Sequence, residues 1–107
     1  MTICDFVNCI LVPACPNVYH DQAFKETEEY IVWTISGKRI LKADGMRSEA
    51  AGQYFIDIYS KHEFSKVPAR LEQLMDMYDE VTYTDPACNY DIKTGYTHYV
   101  YSVEVCV

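Results

Sequence analysis

Three histidines (His20, His62, His98) and five cysteines (Cys4, Cys9, Cys15, Cys88, Cys106) are the residues of this chain best suited to metal binding or nucleophilic attack. Their spacing favours neither. Zinc sites use ligand pairs two to four residues apart. No CxxC pair occurs here, and Cys9 and Cys15 are six apart across Pro13. A Cys–His couple must meet in space, and His98 and Cys106 would share a strand face about 26 Å apart. Neither GxSxG nor another nucleophile motif is present. Carboxylates cluster twice, at Glu26, Glu28 and Glu29 and at Asp76, Asp79 and Glu80. Paired carboxylates can do acid–base work. These fall in a polar stretch and at a helix end, where they read as interface or solubility charges. The four glycines make neither GxGxxG nor a P-loop. The expectation is no enzyme, no catalytic residue, no cofactor and no metal.

The bulk numbers narrow the class further. A chain of 107 residues suits one domain, spanning 1–107. Half the residues are hydrophobic, and ten are tyrosines, whose large rings and polar tips suit sheets and interfaces. A formal net charge of −7 makes a poor nucleic-acid binder, since phosphate contacts need clustered Lys and Arg. Asp5 interrupts the apolar start, so no signal peptide is read. Apolar runs fall far short of the ~20 residues that cross a bilayer. The odd cysteine count reads as reduced, partly buried thiols in a cytoplasmic protein.

The elements follow from periodicity. Ile3, Phe6, Val7, Ile10 and Leu11 recur at helical spacing over residues 2–12, with Thr2 as cap and Pro13 as stop. Pro13 and Pro16 bracket an extended stretch to Tyr19, and residues 20–29 read as a polar loop. Residues 30–35 (YIVWTI) predict a strand, with a turn at Ser36-Gly37. Residues 37–50 read as an exposed basic loop or a hairpin arm turning at Asp44-Gly45. Lys38, Arg39, Lys42 and Arg47 there outnumber Asp44, a local +3 in an acidic chain. Residues 53–59 predict a central strand with Tyr54, Ile56 and Ile58 on one face and Phe55, Asp57 and Tyr59 on the other. Ser60 and Glu63 resemble a capping box for a helix from Glu63 to Asp79. Its stripe is Val67, Leu71, Leu74, Met75 and Tyr78, and Pro68 is tolerated near its start. Residues 81–84 predict a strand, 85–91 a loop, Thr94-Gly95 a turn, and 96–107 a last alternating strand. The whole predicts an α+β fold: a mainly antiparallel sheet of four to five strands with two helices on one face.

Several segments in order are similar to a family of small tail-terminator, or tail-completion, proteins of long-tailed phages and prophages. Tyr54-Phe55-Ile56-Asp57-Ile58-Tyr59-Ser60-Lys61 resembles that family's I-x-V-D-I-Y/W-S-K strand and turn. An amphipathic helix reaching Leu74 and Met75 follows, as there. Residues 90–98, Tyr90 to His98 through Thr94-Gly95, resemble its Y-x-x-D/E-T-G-L-Y-H box. The Pro13 region, Tyr30-Ile31-Val32-Trp33 and Ala43-Asp44-Gly45 resemble its earlier segments. The likeness covers nearly the whole chain.

The resemblance implies a structural virion protein in the phage neck, assembled in the bacterial cytoplasm. Its relatives form hexameric rings that stop tail-tube growth and dock on the head connector. The expected partners are therefore the chain itself, the tail-tube protein and the connector. The charge contrast suggests that the basic arm (Lys38, Arg39, Lys42, Arg47) meets Glu26, Glu28 and Glu29, or Asp76, Asp79 and Glu80, of the next subunit. Alternatives are a head–tail adaptor on the same fold, and an acidic phage-encoded inhibitor or DNA mimic that binds a host protein.

Overall fold

The computed structural model describes residues 1–106, with the backbone alone described for Ala43, Ser48 and Glu49. Val107, read above as the end of the last strand, lies outside them.

The first helix, α1, is α-helical over Ile3–Phe6, π-helical over Val7–Leu11 and α-helical again over Val12–Ala14. Thr2 and Asp5 cap its start reciprocally: Asp5 N donates to Thr2 Oγ1 (3.1 Å) and Thr2 N to Asp5 Oδ2 (3.3 Å). Pro13 does not stop it. The wide π turn comes just before a residue with no N–H, and the helix runs on to Ala14. The second helix, α2, is Val67–Asp76. It starts later than the predicted Glu63, at the first residue of the apolar stripe, and ends before the predicted Asp79. Ser60 does not cap it; that buried hydroxyl is held by another strand, and Lys66 precedes the first turn without a side-chain cap. Pro68 sits in the opening turn, where its missing N–H costs nothing.

Six strands form one sheet: β1 Val18–His20, β2 Glu29–Ala43, β3 Met46–Ser60, β4 Val81–Tyr83, β5 Ala87–Tyr90 and β6 Thr97–Cys106. The order is β1-β2-β3-β6-β4, with β5 beside β6. Among the described residues only β1 runs parallel to its neighbour. The count exceeds the four to five expected because 85–91 is not all loop. β5 pairs with β6 along the same edge as β4, from Ala87↔Val100 to Tyr90↔Thr97. Pro86, which cannot donate to the ladder, falls in the break between them.

The predicted Ser36-Gly37 turn is a bulge inside β2, between Ile35 and Gly37. Gly37 suits the crowding there, since a Cβ would lie 3.0 Å from Gln53 Oε1. Gly52 matters more: a Cβ would meet the Tyr54 ring at 2.5 to 2.9 Å. The hairpin turns at Asp44 (φ 53°) and Gly45 (φ 75°), the two positive angles of a type I′ turn.

Both helices cover one face. Phe6, Ile10 and Leu11 of α1 and Val67, Leu71 and Met75 of α2 pack on Ile31, Ile56, Ile58, Tyr101, Val103 and Val105. Each fully buried aliphatic there contributes about 1.5–3 kcal/mol. Two hydroxyls fix α2 to the sheet: Tyr101 Oη donates to Glu72 (3.2 Å) and Tyr83 Oη to Asp76 (2.8 Å). Neither helix is long and apolar enough to cross a membrane. The thiols depart from the partly buried reading. Cys106 is half-buried and Cys15 buried, while Cys4, Cys9 and Cys88 are exposed.

Candidate functional site

Two features stand out at opposite ends of β2 and β3. The first is an arm. Among the described residues β6 pairs with β3 as far as Ala51↔Cys106, and residues 46–50 with the facing end of β2 run on past it as a two-stranded ribbon. Five residues of strand carry its tip about 17 Å past the body. The molecule is correspondingly long, 53 × 25 × 24 Å. Register makes the ribbon amphipathic. Leu41 and Met46 share one side and are 54% and 76% exposed. Lys42 and Arg47 stand directly opposite each other on the other side.

The four predicted arm bases divide. Arg39 reaches across the surface to β6: its Nε bonds Glu104 Oε1 at 2.7 Å, and this bond, helped by Gln53, holds the Glu104 carboxyl below its usual range. It clamps the arm's base to β6. Lys38, Lys42 and Arg47 are exposed.

The second feature is a trough of about 480 Å³ on the open face of the sheet. Its floor is aromatic. Tyr59 stacks on Tyr30 (4.8 Å) and on His98 (4.3 Å), while Tyr96 meets Tyr30 and Tyr59 edge-on. The β3–β6 register Tyr59↔His98 makes this stack, and the diagonal neighbour Asp57 reaches His98 Nε2 at 3.2 Å. The 21–28 loop forms one wall. Tyr96 Oη holds that loop by donating to Thr27 O at 2.6 Å. Asp21 and Glu26 come from this wall and Asp91 from the β5–β6 turn, and no Lys or Arg lines the trough. Burial, with the Glu26 charge second, pushes the Tyr30 hydroxyl up to about 12. Tyr59 rises for the same leading reason, with Asp57 and Glu26 adding to it.

The predicted acidic residues also separate. Glu29 serves inside the fold. Its carboxylate accepts from Ser60 Oγ (3.0 Å) and Ser65 Oγ, and its carbonyl from Asn17 Nδ2 (3.2 Å) and Thr27 Oγ1 (2.8 Å). It ties the end of α1, the start of β2, the end of β3 and the approach to α2 together. Glu28 lies 3.3 Å from His62 Nε2. Glu26 is the one of that cluster that faces the trough. Asp76, Asp79 and Glu80 lie at the arm-proximal end of the body, since β4 begins at Val81 opposite Val105, itself paired beside Gly52. Asp76 already accepts from Tyr83.

Among the described residues, no three His, Cys, Asp or Glu side chains converge as a metal-binding group. Residue types and spacing missed Tyr30, Tyr59, Tyr96 and His98 as a set. The only signal was alternation, which put Asp57 with Tyr59 and Tyr96 with His98; strand register was needed to unite them. A scan against protein-family models finds no match, and a search of curated proteins finds none either.

Proposed function

We propose that this protein is a structural subunit of a long-tailed phage or prophage virion: a tail terminator that forms a ring, closes the head-proximal end of the tail tube and joins it to the head. The β2–β3 arm carries the reading. A ribbon of only two strands is marginal in water. This one exposes Leu41 and Met46 on one side and Lys42 and Arg47 on the other, and among the described residues no further strand flanks its outer part, all of which suits burial against a neighbour. The sequence resemblance supplies the kind of assembly.

Function on this reading is shape. Each subunit presents two different surfaces, a head-to-tail contact that closes when successive rotations sum to a full turn. One face of the ring would cap the tube protein and the other would meet the head connector. No reaction, cofactor or metal is required. Deleting the gene from its phage and imaging the particles tests this. Tails of uncontrolled length are expected. Free tails of normal length would reassign the protein to a head-side adaptor. Recovery of a host protein instead of tube protein in a pull-down would replace the reading with an inhibitor.

A further inference from the structure

We propose that the tyrosine trough is the receptor for the arm of a second copy, taking the Arg47 guanidinium and Lys42 ammonium between its rings and carboxylates. This deepens the ring reading and rests on it.

The arm supplies the first argument. Lys42 and Arg47 are a directly opposed cross-strand pair of like charge, which destabilises a ribbon standing alone. The pair sits beside the turn at Asp44 and Gly45, with both side chains exposed. The arrangement becomes favourable when an external anionic surface receives both cations.

The trough is the complement. It is lined by the exposed ring of Tyr90, the half-buried Tyr59 and three carboxylates, Asp21, Glu26 and Asp91, with no Lys or Arg among its lining residues. Guanidinium stacks on tyrosine while donating to carboxylates, the double demand this surface meets. Lys61 Nζ already lies 4.9 Å over the centre of Tyr96, so that ring takes a cation from within the chain and Tyr90 is the exposed ring left for the arm. The raised Tyr30 hydroxyl, pushed by burial and then by Glu26, is consistent with negative potential there.

Distance excludes the chain's own arm. Twelve residues of β3 separate Arg47 from Tyr59, about 40 Å. Donor and receptor lie at opposite ends of one rigid pair of strands, so the contact is heterologous and propagates until a ring closes.

Charge variants test the joint by light scattering and sedimentation. The arm variant carries Lys42→Glu and Arg47→Glu. The trough variant carries Asp21→Asn, Glu26→Lys and Asp91→Asn. Asparagine tolerates the positive φ of Asp21 (68°) and keeps the acceptor that Asp91 offers Lys93 N. The wild type is expected to associate with rising concentration. Each variant alone should associate at least about tenfold more weakly, staying near the single-chain 12.4 kDa. Mixed, the two should form one-to-one pairs and nothing larger, because each pair contains one intact joint. Circular dichroism and melting confirm the folds; if the trough variant unfolds, the arm variant decides alone. A wild type that remains a single chain throughout, an arm variant with the wild-type mass distribution, or folded variants that do not pair would overturn the proposal. If the variants associate normally and the deletion phage still makes overlong tails, the docking fails and the ring reading stands. Normal tails overturn the ring reading whatever the masses.

Discussion

The two faces of the sheet are built from the same strands and obey different physics. On β3, Ile56 and Ile58 point into the helix-covered face and are fully buried, while Phe55, Asp57 and Tyr59 point the other way. The covered face is mainly aliphatic, with Phe6 and Tyr101 among its buried residues, and is closed by the two helices. The open face carries a small second cluster of Tyr30, Val32 and Tyr96, then polar and half-exposed residues. Stability lies mainly on the first face, leaving the second free to be shaped for contact. Tyrosine suits that role because its ring packs while its hydroxyl bonds. Tyr96 does both, against Tyr59 and to Thr27.

The contrast can be broken by mutation. Leu71→Ala empties a fully buried site under α2 and should cost about 3 kcal/mol, read as a lower denaturant midpoint. Phe55→Ala on the open face should cost under about 0.5 kcal/mol by the same measurement. Equal losses would abolish the distinction between the faces. Glu29→Ala leaves the buried Ser60 hydroxyl without its acceptor and should cost about 2 kcal/mol. Tyr96→Phe removes the bond to Thr27 and should cost about 1 kcal/mol. It should also raise proteolysis in the 21–28 loop while leaving the helices intact.

Alkaline pH gives a milder test of the trough floor. The folded Tyr30 hydroxyl titrates at about 12 against an ordinary 10.0. The native state therefore holds its proton longer. That contribution is fully present below pH 10 and is lost as pH rises towards 12, visible as late tyrosinate absorbance accompanied by falling stability. The smallest effect is a gain. Lys42→Glu opposite Arg47 turns a like-charged pair into an attractive one and should stabilise the isolated subunit by about 0.5 kcal/mol. The same change should weaken association, so stability and assembly would move in opposite directions.

The strands with plain alternation were legible. Ile56 and Ile58, and Tyr101, Val103 and Val105, announce their buried face two residues at a time. Asp44-Gly45 announced the arm's turn, because few dipeptides accept two positive φ angles. Local pattern failed where a distant residue decided. Ser60 and Glu63 have capping-box spacing, but Ser60 is taken by Glu29, 31 residues away. Ser36-Gly37 looked like a turn, but pairing with Gln53 kept the strand going. The arm's basic residues were legible as a charge contrast. The trough was not, because it depends on which rung of β3 faces which rung of β6.

A ribbon with one neighbour satisfies only half of its amides. Along the arm beyond the bulge at Ala50, alternate N–H groups point into the β2–β3 ladder and the rest point away from it, with no partner strand among the described residues. In the lone subunit, deuterium should therefore enter this stretch as a comb, one slow position followed by one fast. A flanking strand from another molecule would fill the fast teeth on the side it covers, and side-chain docking alone would leave them. Exchange mapping thus reads whether a neighbour grips the arm by its backbone or only by its tips.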